Sequence, residues 1–273
     1  MAGDHLKRAL GIIEVLSRAP GGLPLQAIAD SLEMPKSGAH RLLKKLSDLG
    51  WVRKDEEEGR HYLTLHLASL ALRHLSDAGL ADVAQPILDR LANESGEMVR
   101  LGAIDADRLF WVAKAQGARS GLRYDPDMGS RVKLACTATG IAWLSALPDA
   151  EAERLVAGTG FEKDSDVGPN APRSMAALRA YLDRTRREGY ALTVETAHAG
   201  TSALAAVVRQ PGRGQILGTI SIAGPSIRLT EKRMIALAPS MLEAAEELSG
   251  ASLSFGWLSP VSPMRTVARR RTR

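Results

Sequence analysis

Between Met34 and Val52 the apolar and polar positions of the chain separate at a helical period. Ala39, Leu42, Leu43, Leu46 and Leu49 fall on one side, and Ser37, His40, Arg41 and Lys44 on the other, each set at the i, i+3, i+4, i+7 spacing. Pro35 suits a first helical position because it has no N–H to leave unsatisfied. Gly50 suits the residue after the end, where a left-handed backbone is easy only for glycine. The pattern predicts a bounded helix of about four turns. Just before it, Leu25, Ile28, Ala29 and Leu32 form a short apolar stripe opened by Pro24 and followed by a turn at Glu33-Met34. Just after it, Trp51-Val52-Arg53 and His61-Tyr62-Leu63-Thr64 are β-prone runs around the charged, Gly-containing turn from Lys54 to Arg60. Helix, tight turn, helix and hairpin make a winged helix-turn-helix. A first helix, with Asp4 as its cap, would pack Leu6, Ala9, Leu10, Ile13 and Leu16 under that assembly and end at Ala19-Pro20-Gly21-Gly22.

The pattern continues as a linker helix over 65–78, carrying Leu65, Leu67, Leu70, Ala71 and Leu75. So many leucines between two domains need a cover, and the same helix of a second subunit is the simplest one; packing on its own chain is the alternative. Gly79 marks the domain boundary. Beyond it, 81–94 reads as a helix, and 97–104 and 109–115 as strands around an Asp105-Ala106-Asp107 turn. Residues 176–188 read as a helix, and 190–195, 203–209 and 216–222 as strands. A last helix over 230–249 has Thr230 as cap and Ile235, Leu237, Ala238, Met241, Leu242 and Ala245 as its buried stripe. Helices flanking an antiparallel sheet give an α+β class. Residues 251–273, rich in Ser, Pro and Arg, read as a disordered basic tail.

Charge sharpens the picture locally. The chain carries a formal +5, but Met264 to Arg273 holds five arginines and no acid, so the remainder balances. From Met34 to Lys54, six Lys/Arg face one acid, Asp48, and this short piece alone carries +5. A helix-turn-helix lays its second helix in the major groove, which requires polar side chains on that helix's exposed face. Lys36, Ser37, His40, Arg41 and Lys44 are so placed, with Arg53, Lys54 and Arg60 on the wing side for phosphates. A winged helix used for protein contact is the alternative. A single cysteine, Cys136, excludes an intramolecular disulfide framework and suits a cytoplasmic protein. No apolar run approaches the roughly 18 residues needed to span a bilayer, so no membrane partner is expected.

The run Met34-Pro35-Lys36-Ser37-Gly38-Ala39-His40-Arg41-Leu42-Leu43, with Leu49-Gly50-Trp51-Val52 and Tyr62-Leu63 after it, resembles the DNA-binding domain of the IclR family of bacterial transcriptional regulators. A second stretch, Gly129 to Ala142, carries the rest of the resemblance. Read physically, a β-prone run stops at Thr137, a good cap, before a helix of Ile141, Ala142, Leu144, Ala146 and Leu147. Free N–H groups at such a helix start make an anion site, and small residues at Ala138, Thr139 and Gly140 let a ligand approach. The family pattern there, Pro-Leu-His-x-Thr-Ala-x-Gly-Lys-Ala, is matched at Leu134, Thr137, Ala138, Gly140 and Ala142; Lys133, Ala135 and Ile141 depart from it.

The resemblance implies an N-terminal winged helix-turn-helix (1–64), a linker or dimerisation helix (65–78) and a C-terminal GAF-like effector-binding domain (79–250). It implies an effector pocket with Tyr124 and Val132 as apolar wall, Thr137, Ala138, Thr139 and Gly140 at the anion-binding turn, and Thr193, Thr201, Ala203, Ser221 and Ala223 on the sheet side. Some relatives carry an acid in place of Thr193 and a cysteine in place of Ala203. Losing both implies less charge and more room, favouring a larger or aromatic acid over a small keto acid. The partners implied are double-stranded operator DNA, a small carboxylate and further copies of the chain, as a dimer or a dimer of dimers.

An enzyme has little support. There is no G-x-S-x-G or H-E-x-x-H, and Gly212-x-Gly214 followed by Gly218 misses dinucleotide spacing and reads as a hairpin turn. Five of six histidines lie in the first 74 residues, leaving His198, and no Cys/His cluster has zinc spacing. No catalytic residue, metal or cofactor is expected.

Overall fold

The structure, a computed structural model, describes residues 2–77, 83–125, 128, 132–163 and 166–251. It divides into two compact units, Met1–Ser76 and Asp77–Arg273. Gly79, the start of the helix expected from residue 81, Gly129-Ser130-Arg131 and the tail from residue 252 lie outside the described residues.

The first unit runs α1 (Ala2–Ser17), β1 (Leu23–Pro24), α2 (Leu25–Ser31), α3 (Lys36–Asp48), β2 (Val52–Lys54), β3 (Arg60–Leu63) and α4 (Leu65–Asp77). Helix α3 forms as its pattern dictates, with Pro35 at the N-cap and Ala39, Leu42, Leu43 and Leu46 buried. Leu49, expected on the buried side, is 68% exposed. The helix stops at Asp48 and the backbone turns at Gly50 (φ +77°), so the position that would continue the apolar stripe leaves the helical path. In α1 the buried side is Ile12 and Leu16, with Ala9 and Ile13 packed beside them; Leu6 and Leu10 are exposed. Asp4 lies inside α1 rather than capping it. The hairpin gains a strand that the sequence did not announce: β1 pairs antiparallel with β3, giving the order β1-β3-β2. Two residues are too few for an alternation to be read.

Thr64 turns the chain from the wing into α4, donating from its hydroxyl to Gly50 O and accepting from the His66 N–H. Trp51 and His66 meet edge to face at 4.7 Å. Leu65, Leu70 and Leu72 of α4 are all exposed.

The second unit comprises α5 (Gln85–Ser95), β4 (Met98–Asp105), β5 (Arg108–Gln116), α6 (Ala138–Ser145), α7 (Asp149–Thr159), α8 (Met175–Glu188), β6 (Ala191–Val194), β7 (Thr201–Arg209), β8 (Ile216–Pro225) and α9 (Glu231–Ala251). Its five strands form one antiparallel sheet in the order β5-β4-β8-β7-β6. On one face, Ala191 and Ala205 pack against Ile141, Leu144, Leu178 and Leu182 of α6 and α8. The alternating positions Val99, Leu101, Leu204 and Ile222 are buried too, and α5 and α9 pack against the sheet. Burying both faces explains why these strands carry so few polar positions.

Two expectations are corrected here, and one helix is added. The run before Thr137 is turn, not strand: Thr137 donates to Lys133 O at 2.6 Å and folds the loop on itself. Helix α7 went unread because it buries only Ala152, Leu155 and Val156, too few for a clear period. In α9 the buried stripe is Met234, Leu237, Ala238, Met241, Ala244, Ala245 and Leu248, while Ile235 and Leu242 are exposed. Thr230 does cap it, accepting from the Arg233 N–H at 3.3 Å.

Candidate nucleic-acid interface and effector pocket

In the first unit the burial of one side of α3 leaves Lys36, Ser37, His40, Arg41 and Lys44 exposed on the other. They form a ridge between two hollows. One, about 840 Å³, lies towards His5 and Arg8 of α1; the other, about 670 Å³, lies towards Leu25 of α2. Among the described residues, none of Lys36, Arg41 and Lys44 takes part in an ion pair.

The wing cations are differently placed. Arg53 lies over the Tyr62 ring at 4.4 Å, Lys54 pairs with Glu56 at 2.7 Å, and Arg60 donates to Gly22 O at 2.9 Å. Arg60 thereby ties the wing to the loop before β1. The wing tip is acidic: Asp55 accepts from the Glu57 and Glu58 N–H groups, which hold its carboxyl below the usual range. His61, behind the wing, is buried with Nδ1 unpartnered; burial pulls its pKa down, with Lys54 and His40 adding to the shift.

In the second unit a cavity of about 30 Å³ lies between the sheet and the start of α6. Tyr124, Thr137, Ala138, Thr139, Thr193, Thr201, Ala203, Ser221 and Ala223 all line it. Val132 does not; it is buried in the apolar cluster under α6, its N–H on Leu109 O. Gly140 does not line it either. A side chain at Gly140 would meet Leu134 O at 2.3 Å, and its N–H is already given to Thr137 Oγ1 at 3.0 Å. Glycine there lets the loop fold back on its own helix, not a ligand come close.

Arg100, Ala197 and Ser202 also line the cavity, and sequence reasoning missed them. Arg100 matters most. It stands on β4 in register with Ser221 of β8, is 7% exposed, and lies over the Trp111 ring at 3.6 Å and the Tyr124 ring at 5.9 Å. Its Nε and the Ser221 Oγ are buried without hydrogen-bond partners. Burial pulls the Arg100 pKa down to about 10, which still leaves it charged at neutral pH. An unsatisfied buried donor costs roughly 1–3 kcal/mol, more when charged.

The Tyr124 loop is pinned by Gln116 Nε2 to Tyr124 O (3.1 Å), Lys114 to Asp125 (2.6 Å) and Arg228 to Leu122 O (2.8 Å). Arg228 also grips the buried Glu97 with two nitrogens, at 2.9 and 3.0 Å. The expectation of less charge and more room is therefore corrected. The pocket holds a full buried cation, and its volume suits about one water molecule.

Against catalysis, Cys136 is buried and its thiol is pushed up to about 11, far from a reactive thiolate. Among the described residues no group of three His, Cys, Asp or Glu could hold a metal, and no helix is long and apolar enough to cross a membrane.

Two family descriptions match this sequence: "IclR helix-turn-helix domain" over residues 5–56 and "Bacterial transcriptional regulator IclR C-terminal" over residues 72–250. The chain belongs to the IclR family. Within it, the chain is similar to the probable transcriptional regulator SauR of Cupriavidus necator, at 31% identity over 88% of this chain and 94% of that one. It is also similar to the transcriptional repressor AllR of Salmonella typhi, at 28% identity over 90% and 89%. Its fold is similar to that of an IclR homolog from Microbacterium hydrocarbonoxydans complexed with 4-hydroxybenzoate, with a TM-score of 0.71 at 20% identity, covering 90% of this chain and 99% of that one. As an IclR-family member the chain is a DNA-binding transcriptional regulator with a ligand-binding C-terminal domain, not an enzyme.

Proposed function

We propose that this protein is a cytoplasmic one-component regulator that reads operator DNA with α3 and responds to a small carboxylate bound beside α6. The observation that carries the DNA half is the division of α3: four buried apolar residues hold it in place, and its other side offers Lys36, Ser37, His40, Arg41 and Lys44. Because Arg53, Lys54 and Arg60 already have partners within the first unit, they add phosphate attraction only by giving those up. The α3 cations are the primary contacts.

The pairing of DNA-binding units from two copies of the chain is assigned to α4, whose exposed leucines call for a matching surface. A dimer sets two α3 helices at half-sites about one DNA turn or a multiple apart. The effector is a carboxylate because the pocket's charge is positive and buried. The 4-hydroxybenzoate bound by the Microbacterium homolog is a carboxylate of this kind.

The test is selection of a duplex from a random pool by the wild type, followed by its affinity for Arg41→Ala. If Arg41 reads a guanine, binding weakens by about 1–3 kcal/mol on the selected site alone; if it holds a phosphate, it weakens on every sequence. Unchanged affinity at low and high salt would reject both roles and favour a winged helix used for protein contact.

A further inference from the structure

We propose that Arg100 is the charge anchor of the effector pocket: it takes the ligand's carboxylate, with Ser221 Oγ on the second oxygen, so that the acid group binds on the sheet between β4 and β8 rather than at the α6 N-terminus. This rests on the reading of the cavity as an effector pocket.

Of the five buried side-chain polar atoms without a partner among the described residues, two, Arg100 Nε and Ser221 Oγ, belong to residues lining this one cavity. The two stand side by side in register on neighbouring strands. Among the described residues no carboxylate is paired with Arg100. Glu97, three positions away, is held by Arg228, and Asp125 by Lys114. One face of the guanidinium is covered by Trp111, with the Tyr124 ring centroid 5.9 Å away, so what remains for a ligand is an edge bearing N–H groups. A guanidinium edge matches two carboxylate oxygens, and an arginine has no acceptor to offer a ligand's donor groups.

The α6 end of the cavity is the weaker competitor. A helix terminus offers roughly half a charge, against a whole one on Arg100. One of its first-turn N–H groups is already taken by Thr137. With room for about one water, the cavity accepts the acid group first, and the rest of the ligand must displace a wall. Tyr124, beside Arg100 on the cavity wall, is the residue that an incoming carboxylate pushes aside.

The experiment is calorimetry on the full-length chain with glyoxylate, pyruvate, benzoate and 4-hydroxybenzoate, using benzamide and 4-hydroxybenzamide as uncharged twins of the aromatic acids. At least one acid binds the wild type, and Arg100→Met weakens that acid about ten- to hundredfold while Arg100→Lys recovers part of the loss. An acid that binds Arg100→Met as tightly as wild type overturns the anchor and leaves the pocket reading standing. If no acid binds the wild type, both fall.

Should Arg100→Met fail to fold, the wild type answers directly by nuclear magnetic resonance. The Arg100 Nε–H signal, displaced by the Trp111 ring current, moves on adding the acid that binds and stays put with its amide or, where no amide was used, with acetamide. A signal that does not move overturns the proposal.

Discussion

His61 shows how one buried side chain writes a pH dependence into the DNA-binding unit. Its pKa in the folded chain lies below the ordinary 6.5 because burial disfavours the imidazolium. The unfolded chain therefore takes up the proton first, so stability is fully present above about pH 6.5 and falls as the pH drops through that value. Chemical denaturation of the wild type between pH 7.5 and 5 should show that loss, and His61→Phe should flatten it; an equal slope in both would show that His61 does not titrate on unfolding.

Arg100 marks the limit of what the residues revealed in advance. The cap at Thr137 was legible because a cap and its helix are neighbours in sequence. Arg100 sits in the run Met98-Val99-Arg100-Leu101, where nothing local tells a buried cation from an exposed one. Its environment comes from Trp111 and Tyr124, brought to it by the β4/β5 hairpin and the loop beyond.

Among the elements, α3 and α4 make opposite cases. Helix α3 was legible almost to the residue because one strong period is bounded by Pro35 and Gly50; it misled only at Leu49, where the backbone turns away. Helix α4 was legible as a helix, but no pattern in a single chain says what covers it. With Leu65 and Leu72 exposed by 83% and 66%, α4 presents apolar surface that water disfavours by about 25 cal/mol per Å². Replacing both by lysine should therefore shift the protein towards smaller species in sedimentation and weaken operator binding, while leaving thermal unfolding of the second unit unchanged. An unaltered oligomeric state would place the subunit contact elsewhere. The strands of the second unit were found from their β-prone runs, yet their order was not. Order depends on pairings such as Arg100 with Ser221, more than a hundred positions apart.

For the whole molecule, regulation requires that the ligand distinguish two states of the protein. A carboxylate with equal affinity for the DNA-competent and incompetent forms changes nothing, however tightly it binds. The coupling is reciprocal, so DNA must alter carboxylate affinity by the same factor that the carboxylate alters DNA affinity. The most direct test is a titration of the wild type with its selected duplex, with and without a saturating amount of the tightest-binding acid, paired with the reverse titration of acid into free and DNA-bound protein. A common factor of about 5 to 150 in both directions is the predicted result. Two unchanged affinities would contradict the account, leaving a DNA-binding protein and a carboxylate pocket with no regulation between them.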